Sequence, residues 1–172
     1  HIRCRISDKF RMNYRVTPGL YAVGNATKDS PVFVSANYKF SFDVLRKDLA
    51  GIDGWILVLD TKGINVWCAA GKGTFGTDEL IARIAETNLA KVVEHRKVIV
   101  PQLGAVGVAA HVVRKQSGFS VAFGPVYSAD IKAYVDAGFK ATPAMRRVHF
   151  KMQERFELTG MELVPAAKWF PM

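Results

Sequence analysis

Cysteine is scarce in this chain. Cys4 and Cys68 are the two among 172 residues. Two at this length build no disulfide framework, which points to a reducing, cytoplasmic setting. Long hydrophobic runs are missing as well. No stretch reaches the roughly 18 consecutive apolar residues that a spanning helix needs. The opening, "HIRCRISDKF", is charged and has no apolar h-region, so it does not read as a signal peptide. It does not begin with Met, as expected of a piece excised from a longer chain. No internal repeat or low-complexity tract is visible. Acidic residues are outnumbered, 15 to 24, for a net charge of +9. Such a balance raises nucleic acid as a partner. The basic residues are scattered, however, as in "LRKDL", "EHRKV" and "MRRVHF", and no nucleic-acid fold motif accompanies them. A solvated basic surface is the plain reading. An acidic protein partner or an anionic membrane face are the sharper ones.

What is present suits one globular domain. The chain is 49% hydrophobic and 23% charged, enough to bury a core. "YRVTPGLYAVG" places two short runs around Pro18–Gly19 and reads as a hairpin within residues 10–30. "PVFVSAN" is a strand. "SFDVLRKDLAG" is a helix with Ser41 as N-cap and Gly51 at its end. "GWILVLD" is an unbroken apolar run, the mark of a strand buried on both faces. "TDELIARIAETNLAKVV" is a helix capped by Thr77, with an apolar stripe of Leu80, Ile81, Ile84 and Ala85. The strand "KVIVPQLG", the helix "AVGVAAHVVRKQSG" closed by Gly118, the strand "FSVAFGPV" and the helix "SADIKAYVDAGF" capped by Ser128 follow. One or two short strands are expected in "MRRVHFKMQERFELTGMELV". This alternation over residues 31–140 implies an α/β, Rossmann-like parallel sheet with helices on both faces. Ligands of such sheets sit at the carboxyl ends of the strands. Four loops leave those ends, and "DTKGINVWCAAGKGTFG" is by far the longest.

That loop contains "GKGTFG", a G-x-G-x-x-G. A dinucleotide fingerprint puts its first Gly directly after the strand. Here ten residues, "TKGINVWCAA", lie between Asp60 and Gly71. A Walker loop needs Gly where Val66 stands, and Ser or Thr where Gly73 stands. Both readings fail, which leaves the weaker one of glycines leading into a helix N-terminus that can hold a phosphate. Cys68 has three readings. It can be a small buried hydrophobe, a thiol nucleophile, or a ligand presented by a helical turn or two, with Lys62 and Lys72 favouring thiolate. His95, His111 and His149 are candidate bases by type alone, and two cysteines with scattered histidines do not make a zinc site.

The octapeptide "NVWCAAGK", Asn65 to Lys72, resembles the signature of the corrinoid protein of microbial mercury methylation, the HgcA family. "PGLYAVGN", "VSANYKFSFD", "VPQLGAVGVAAH", "FGPVYSADI" and "ATPAMRRVHF" resemble it too, so the likeness runs from about Arg11 to Val164. A weaker likeness extends to the corrinoid domain of the corrinoid iron–sulfur protein of acetyl-CoA synthesis.

The resemblance implies a single corrinoid-binding domain with a short cap helix. Residues 141–172 would lead toward a transmembrane part, with Lys168, Trp169 and Phe170 near the membrane interface. The domain would then be the cytoplasmic portion of an inner-membrane protein. The resemblance further implies a corrinoid with its lower base displaced and Cys68 as the lower axial ligand of cobalt. Asn65, Val66, Trp67, Ala69, Ala70 and Lys72 would shape the cap. The D-x-H-x-x-G motif of histidine-ligated corrinoid domains is absent. By position, Thr61 and Gly63 begin the cap loop, and Gly71, Gly73 and Thr74 end it. Gln102, Leu103 and Gly104, with Gly124, Pro125 and Val126, would meet the corrin edge or the displaced nucleotide tail. Asn37 either caps the next helix or touches the ligand. In the implied chemistry a methylated folate supplies the methyl group, methyl-Co(III) passes it to a Hg(II) thiolate complex, and a ferredoxin-like iron–sulfur partner (HgcB-like) restores Co(I). A thiolate donor would stabilise the Co(III) left behind. The alternative is a methyl-carrier module of the acetyl-CoA (Wood–Ljungdahl) type, a family that places no cysteine at the position of Cys68. A cysteine enzyme without corrinoid is the third reading.

Overall fold

The computed structural model describes residues 14–149. Five strands form one sheet: β1 (Gly19–Val23), β2 (Val32–Ala36), β3 (Gly54–Leu59), β4 (Lys97–Val100) and β5 (Ser120–Phe123), in the order β1-β3-β2-β4-β5. The pairs β2–β3, β2–β4 and β4–β5 are parallel. The apolar runs behave as expected: all of β2 is buried, and Ile56, Leu57, Val58 and Leu59 of β3 are fully enclosed.

Alternate residues feed two cores, one on each face. Val32, Val34, Leu57, Val98 and Val100 join Phe75, Leu80, Ile84 and Val113 on the first. Phe33, Ile56, Val58 and Ile99 join Phe42, Leu45, Leu49, Ile131 and Tyr134 on the second. The helices divide accordingly. α1 (Lys39–Asp48) and α6 (Ile131–Asp136) cover the second face. α2 (Val66–Gly71), α3 (Thr77–Glu86), α4 (Leu89–Val92) and α5 (Ala110–Ser117) cover the first.

Several expectations are corrected. β1 pairs antiparallel with β3, from Gly19↔Val58 to Val23↔Gly54, so the sheet is mixed. The expected hairpin around Pro18–Gly19 does not form: Arg15 makes an isolated antiparallel bridge with Tyr38, and Gly19–Val23 pairs with β3. Ser41 lies inside α1, whose N-cap is Tyr38 without a side-chain bond. Thr77 is the first helical residue after the cap Gly76, and its hydroxyl accepts from the Ala109 N–H at 2.8 Å. Ser128 does not cap α6; its hydroxyl donates to Asp48. The helix expected from Ala105 starts at Ala110, because Gln102–Gly104 takes a 3₁₀ turn and Val106 stands 82% exposed. Of the expected tail strands, the described part holds a 3₁₀ turn, Ala144–Arg146, and the rest falls outside the described residues. Gly51 does follow α1, with φ +81°.

Candidate functional site

From β2 the chain crosses through α1 to β3 on one side, then returns through α2, α3 and α4 to β4 on the other. The switch point therefore lies between β2 and β4. These strands share one register pair, Phe33↔Ile99, beyond which they part. A cavity of about 340 Å³ opens there. Phe33, Val34, Ser35, Ile99 and Pro101 form its floor, Phe40, Ser41, Val44 and Leu45 of α1 one wall, and Asn65, Val66 and Trp67 another. Leu103, Gly124, Pro125, Val126, Tyr127, Ser128 and Ile131 complete it. The lining is largely apolar, as small-molecule sites are.

The long loop after β3 forms a rigid spur at this edge. Asn37, at the end of β2 and 3% exposed, holds its base. Its Oδ1 accepts from Thr61 N at 3.1 Å and Gly63 N at 2.8 Å, and its Nδ2 donates to Asp60 Oδ1 at 3.1 Å. Two backbone donors at one oxygen fix the orientation of the amide. The Thr61 hydroxyl lies 2.6 Å from Ile64 O and 2.9 Å from Asn37 Oδ1. It has one proton, and the shorter contact is with Ile64. Lys62 and Gly63 turn the chain in consecutive left-handed conformations, φ 60° and 78°. That is costly for a lysine. Its N–H and its ammonium group are both held by Asp60.

The cap helix α2 follows. Asn65 is its N-cap, accepting from Cys68 N at 2.9 Å. Ala69 and Ala70 are buried against the first core, while Cys68 is exposed and Trp67 beside it is 53% exposed. One turn thus anchors its small face and turns an aromatic and a thiol outward. Phe75, fully buried, pins the other end, and its N–H donates to Ala69 O at 3.1 Å. Gly104 and Gly107 pack against it: a Cβ at Gly104 would stand 2.5 Å from Phe75 Cε1. "GKGTFG" is therefore a packed junction, with Gly76 as the N-cap of α3.

The charges and bases fall differently from the sequence expectation. Lys62 pairs with Asp60, so it is not free to serve Cys68. Burial works to raise the Asp60 carboxyl, but the hydrogen bonds and charge of Lys62, with the Asn37 amide, more than offset it and hold it below its ordinary value. Both ring nitrogens of His95 are engaged, with Ser30 O at 2.9 Å and Lys97 N at 3.3 Å. His149 stacks on Tyr127. His111 lies exposed in the first turn of α5. Among the described residues no group of three or more His, Cys, Asp or Glu could hold a metal ion.

Residues 1–135 match the family model for the CO dehydrogenase/acetyl-CoA synthase delta subunit. The chain belongs to this family. It is 32% identical over 137 residues to the acetyl-CoA decarbonylase/synthase complex subunit gamma of Archaeoglobus fulgidus, covering 78% of this chain and 29% of that protein. The subunit gamma of Methanosarcina acetivorans is 31% identical over 79% of this chain and 30% of its own length. The corrinoid/iron-sulfur protein large subunit of Moorella thermoacetica is 27% identical over 72% of this chain and 28% of its own. The chain thus spans less than a third of the length of these relatives.

The family membership gives the geometry a chemical frame. Of the expected site residues, Asn65, Val66, Trp67, Leu103, Gly124, Pro125 and Val126 converge on the cavity. Cys68 stands on the same helical turn, facing outward. Asn37, Thr61 and Gly63 form the base of the spur, and α1 carries no side-chain cap, so Asn37 is not one. Gly71, Lys72, Gly73 and Thr74 lie at the far end of α2 and do not line the cavity. Gln102 turns inward, and its Oε1 is buried without a partner among the described residues. The wall supplied by Phe40, Ser41 and Val44 was missed from sequence, because helix positions facing a sheet read as core or cap. The donor set fits a chelated metal with a planar ring: a soft, exposed thiol beside an exposed indole, and an apolar recess next to them.

Proposed function

We propose that this chain is a corrinoid-binding methyl-transfer module in which Cys68 is the lower axial donor to cobalt. The single observation that carries this is the placement of Cys68. It is an exposed thiol on a cap helix whose other face is locked into the core, at the switch point of the sheet. The family and the Moorella relative's name support a corrinoid as the cofactor. When bound, a corrinoid supplies a cobalt that accepts and releases a methyl group.

The chain's own residues would do the rest. Asn65 orders the first turn of α2 through the Cys68 N–H. Ala69 and Ala70 keep that turn against the sheet. Trp67 would pack beneath the ring, and the apolar cavity would take the displaced base away from water. Leu103 would border the ring's edge, with Gly124, Pro125 and Val126 toward the nucleotide tail, whereas Gly104 is taken up by packing on Phe75 and Gln102 does not line the cavity.

The names of the relatives support a methyl carrier serving acetyl-CoA synthesis. Cys68 and its octapeptide favour a finer reading, in which the acceptor is Hg(II) and the product methylmercury. An anionic donor opposite the methyl group favours its departure with the bonding electrons, which is what a thiophilic cation requires. In this reading a methylated folate is the donor and a ferredoxin-like iron–sulfur protein the reductant. The domain then lies on the cytoplasmic side of an inner membrane, attached to a transmembrane part. Among the described residues no helix is long and apolar enough to cross a membrane.

The test is anaerobic reconstitution of the wild type and Cys68→Ala, followed by methyl-transfer assays with Hg(II) and with a nickel acetyl-CoA synthase partner. The proposal expects one corrinoid per chain, a cobalt–sulfur absorption signature lost in the variant, and transfer to Hg(II). An unchanged spectrum in Cys68→Ala refutes the thiol ligand. Transfer to the nickel partner alone selects the carrier reading, and failure to bind any corrinoid returns Cys68 to cysteine-enzyme chemistry.

A further inference from the structure

We propose that Asn37 is a positioning residue that sets where Cys68 stands. The inference rests on the reading of Cys68 as the cobalt-facing thiol, and its own evidence is the hydrogen-bond chain between the two. Asn37 sits at the rigid end of β2, buried, with its carbonyl accepting from Val16 N at 2.9 Å. Its side chain reaches the loop after β3 at Asp60, Thr61 and Gly63. Thr61 then clamps Ile64 from both sides, through Ile64 N to Thr61 O at 3.1 Å and the Thr61 hydroxyl to Ile64 O. The next residue, Asn65, holds the Cys68 N–H. Each link is a short local bond, so the thiol is referenced to the central strand through one buried amide.

Asn suits this place because it both accepts and donates. An aspartate at 37 would still accept from Thr61 and Gly63, but it would lose the N–H that meets Asp60 and set two carboxylates together. An alanine would leave the buried Gly63 N–H without its acceptor and the Thr61 N–H with Leu59 O alone, at 3.1 Å. Exchanging the pair, Asn37→Asp with Asp60→Asn, reverses the direction of the amide–carboxylate bond and keeps the 37–60 link, but it gives up the Lys62 N–H and ammonium contacts that Asp60 accepts.

The experiment uses wild type, Asn37→Ala, Asn37→Asp and the double exchange. Amide hydrogen exchange is measured without corrinoid, and the visible spectrum with it. Loss of one such bond corresponds to about tenfold faster local opening. The single variants are therefore expected to exchange about tenfold faster over residues 61–68, with α3 unchanged. Reconstituted, they should take up corrinoid as the wild type does but show a weakened cobalt–sulfur signature, and the double exchange, which regains the 37–60 bond, should move both readouts part-way from Asn37→Asp back toward the wild type. Wild-type exchange in the singles overturns the proposal, as does uniform loosening of loop and α3 together or a double exchange that rescues neither readout. Should Asn37→Ala fail to fold, Asn37→Asp against the double exchange decides by the same criteria. If Cys68→Ala leaves the spectrum unchanged, the thiol-ligand reading falls, while the corrinoid-free exchange still decides whether Asn37 holds the loop.

Discussion

Replacing Gly107 with alanine tests whether the cap unit is as closely packed as its geometry implies. The added Cβ would stand 2.2 Å from the Phe75 carbonyl oxygen and 3.3 Å from both Cα and O of Ala70. The first distance is about an ångström inside ordinary contact, and the obstacle is backbone, so no side chain can rotate away. Phe75 is fully buried and its N–H is tied to Ala69, so a shift there drags α2 with it. Gly107 O is itself held, accepting from Thr77 N at 3.1 Å. With both sides fixed, overpacking should cost about 1–3 kcal/mol. In a chain of this length that lowers Tm by roughly 2–4 °C per kcal/mol, or about 2–12 °C in all. Differential scanning calorimetry on the corrinoid-free protein measures it. A fall of less than about 1 °C would refute the packed junction and allow the loop after β4 to move independently of the cap.

Gly71→Ala should do the opposite, because a Cβ there meets nothing within 4 Å and the residue is helical. Removing a helical glycine should stabilise by about 0.5–1 kcal/mol in thermal unfolding. If Gly71 leaves room for the corrinoid, the same variant binds it more weakly in a reconstitution titration. Asp60 gives a pH signature. Its folded pKa is depressed, so its contribution is fully present above the unfolded carboxylate pKa, about 4, and is lost as pH falls through the lower folded value. The gap in urea-unfolding stability between wild type and Asp60→Asn should therefore be flat at neutral pH and close below about pH 4; a gap that widens on acidification contradicts the assignment. On the thiol-ligand reading, order of addition matters. Hg(II) added before corrinoid should occupy Cys68 and abolish the cobalt–sulfur signature, and a signature indifferent to the order would count against that reading.

Much of this architecture was legible because the apolar patterns had one solution. "GWILVLD" reads as a strand buried on both faces, and it is one. The stripe of Leu80, Ile81 and Ile84 reads as a helix and packs as one. What was not legible depended on partners distant in sequence. Nothing in "TPGLYAVG" says that Gly19–Val23 will pair with Gly54–Leu59 rather than with its neighbours. Ser41, Thr77 and Ser128 all carry the chemistry of an N-cap. Two of them meet better partners in space, Ala109 for Thr77 and Asp48 for Ser128, and α1 begins before Ser41. Strand alternation alone puts the loop around Cys68 at the carboxyl edge of the sheet, and Asn65, Val66 and Trp67 of that loop line the cavity there. The role of Asn37 was invisible, because an amide that bonds residues 23 to 26 positions away leaves no local pattern.

The site divides its labour between what is buried and what is exposed. Much of what fixes the spur is inside, namely the Asn37 amide, the Thr61 hydroxyl, Ala69 and the Phe75 ring, with the Asn65 cap and the Asp60–Lys62 pair added at the surface. What it presents outward is a thiol and an indole. A nucleophilic cysteine needs a base beside it; the loop itself, residues 60–76, contains no histidine, and both nitrogens of His95 are engaged with backbone. A structural cysteine would be buried, and Cys68 is not. An axial donor needs only softness, exposure and a fixed position, and Cys68 has all three. The family supports the methyl carrier, and the mercury reading proposed above rests on Cys68 itself: a thiolate there would favour departure of a methyl group with its bonding electrons, so parallel transfer assays with Hg(II) and the nickel partner decide between them.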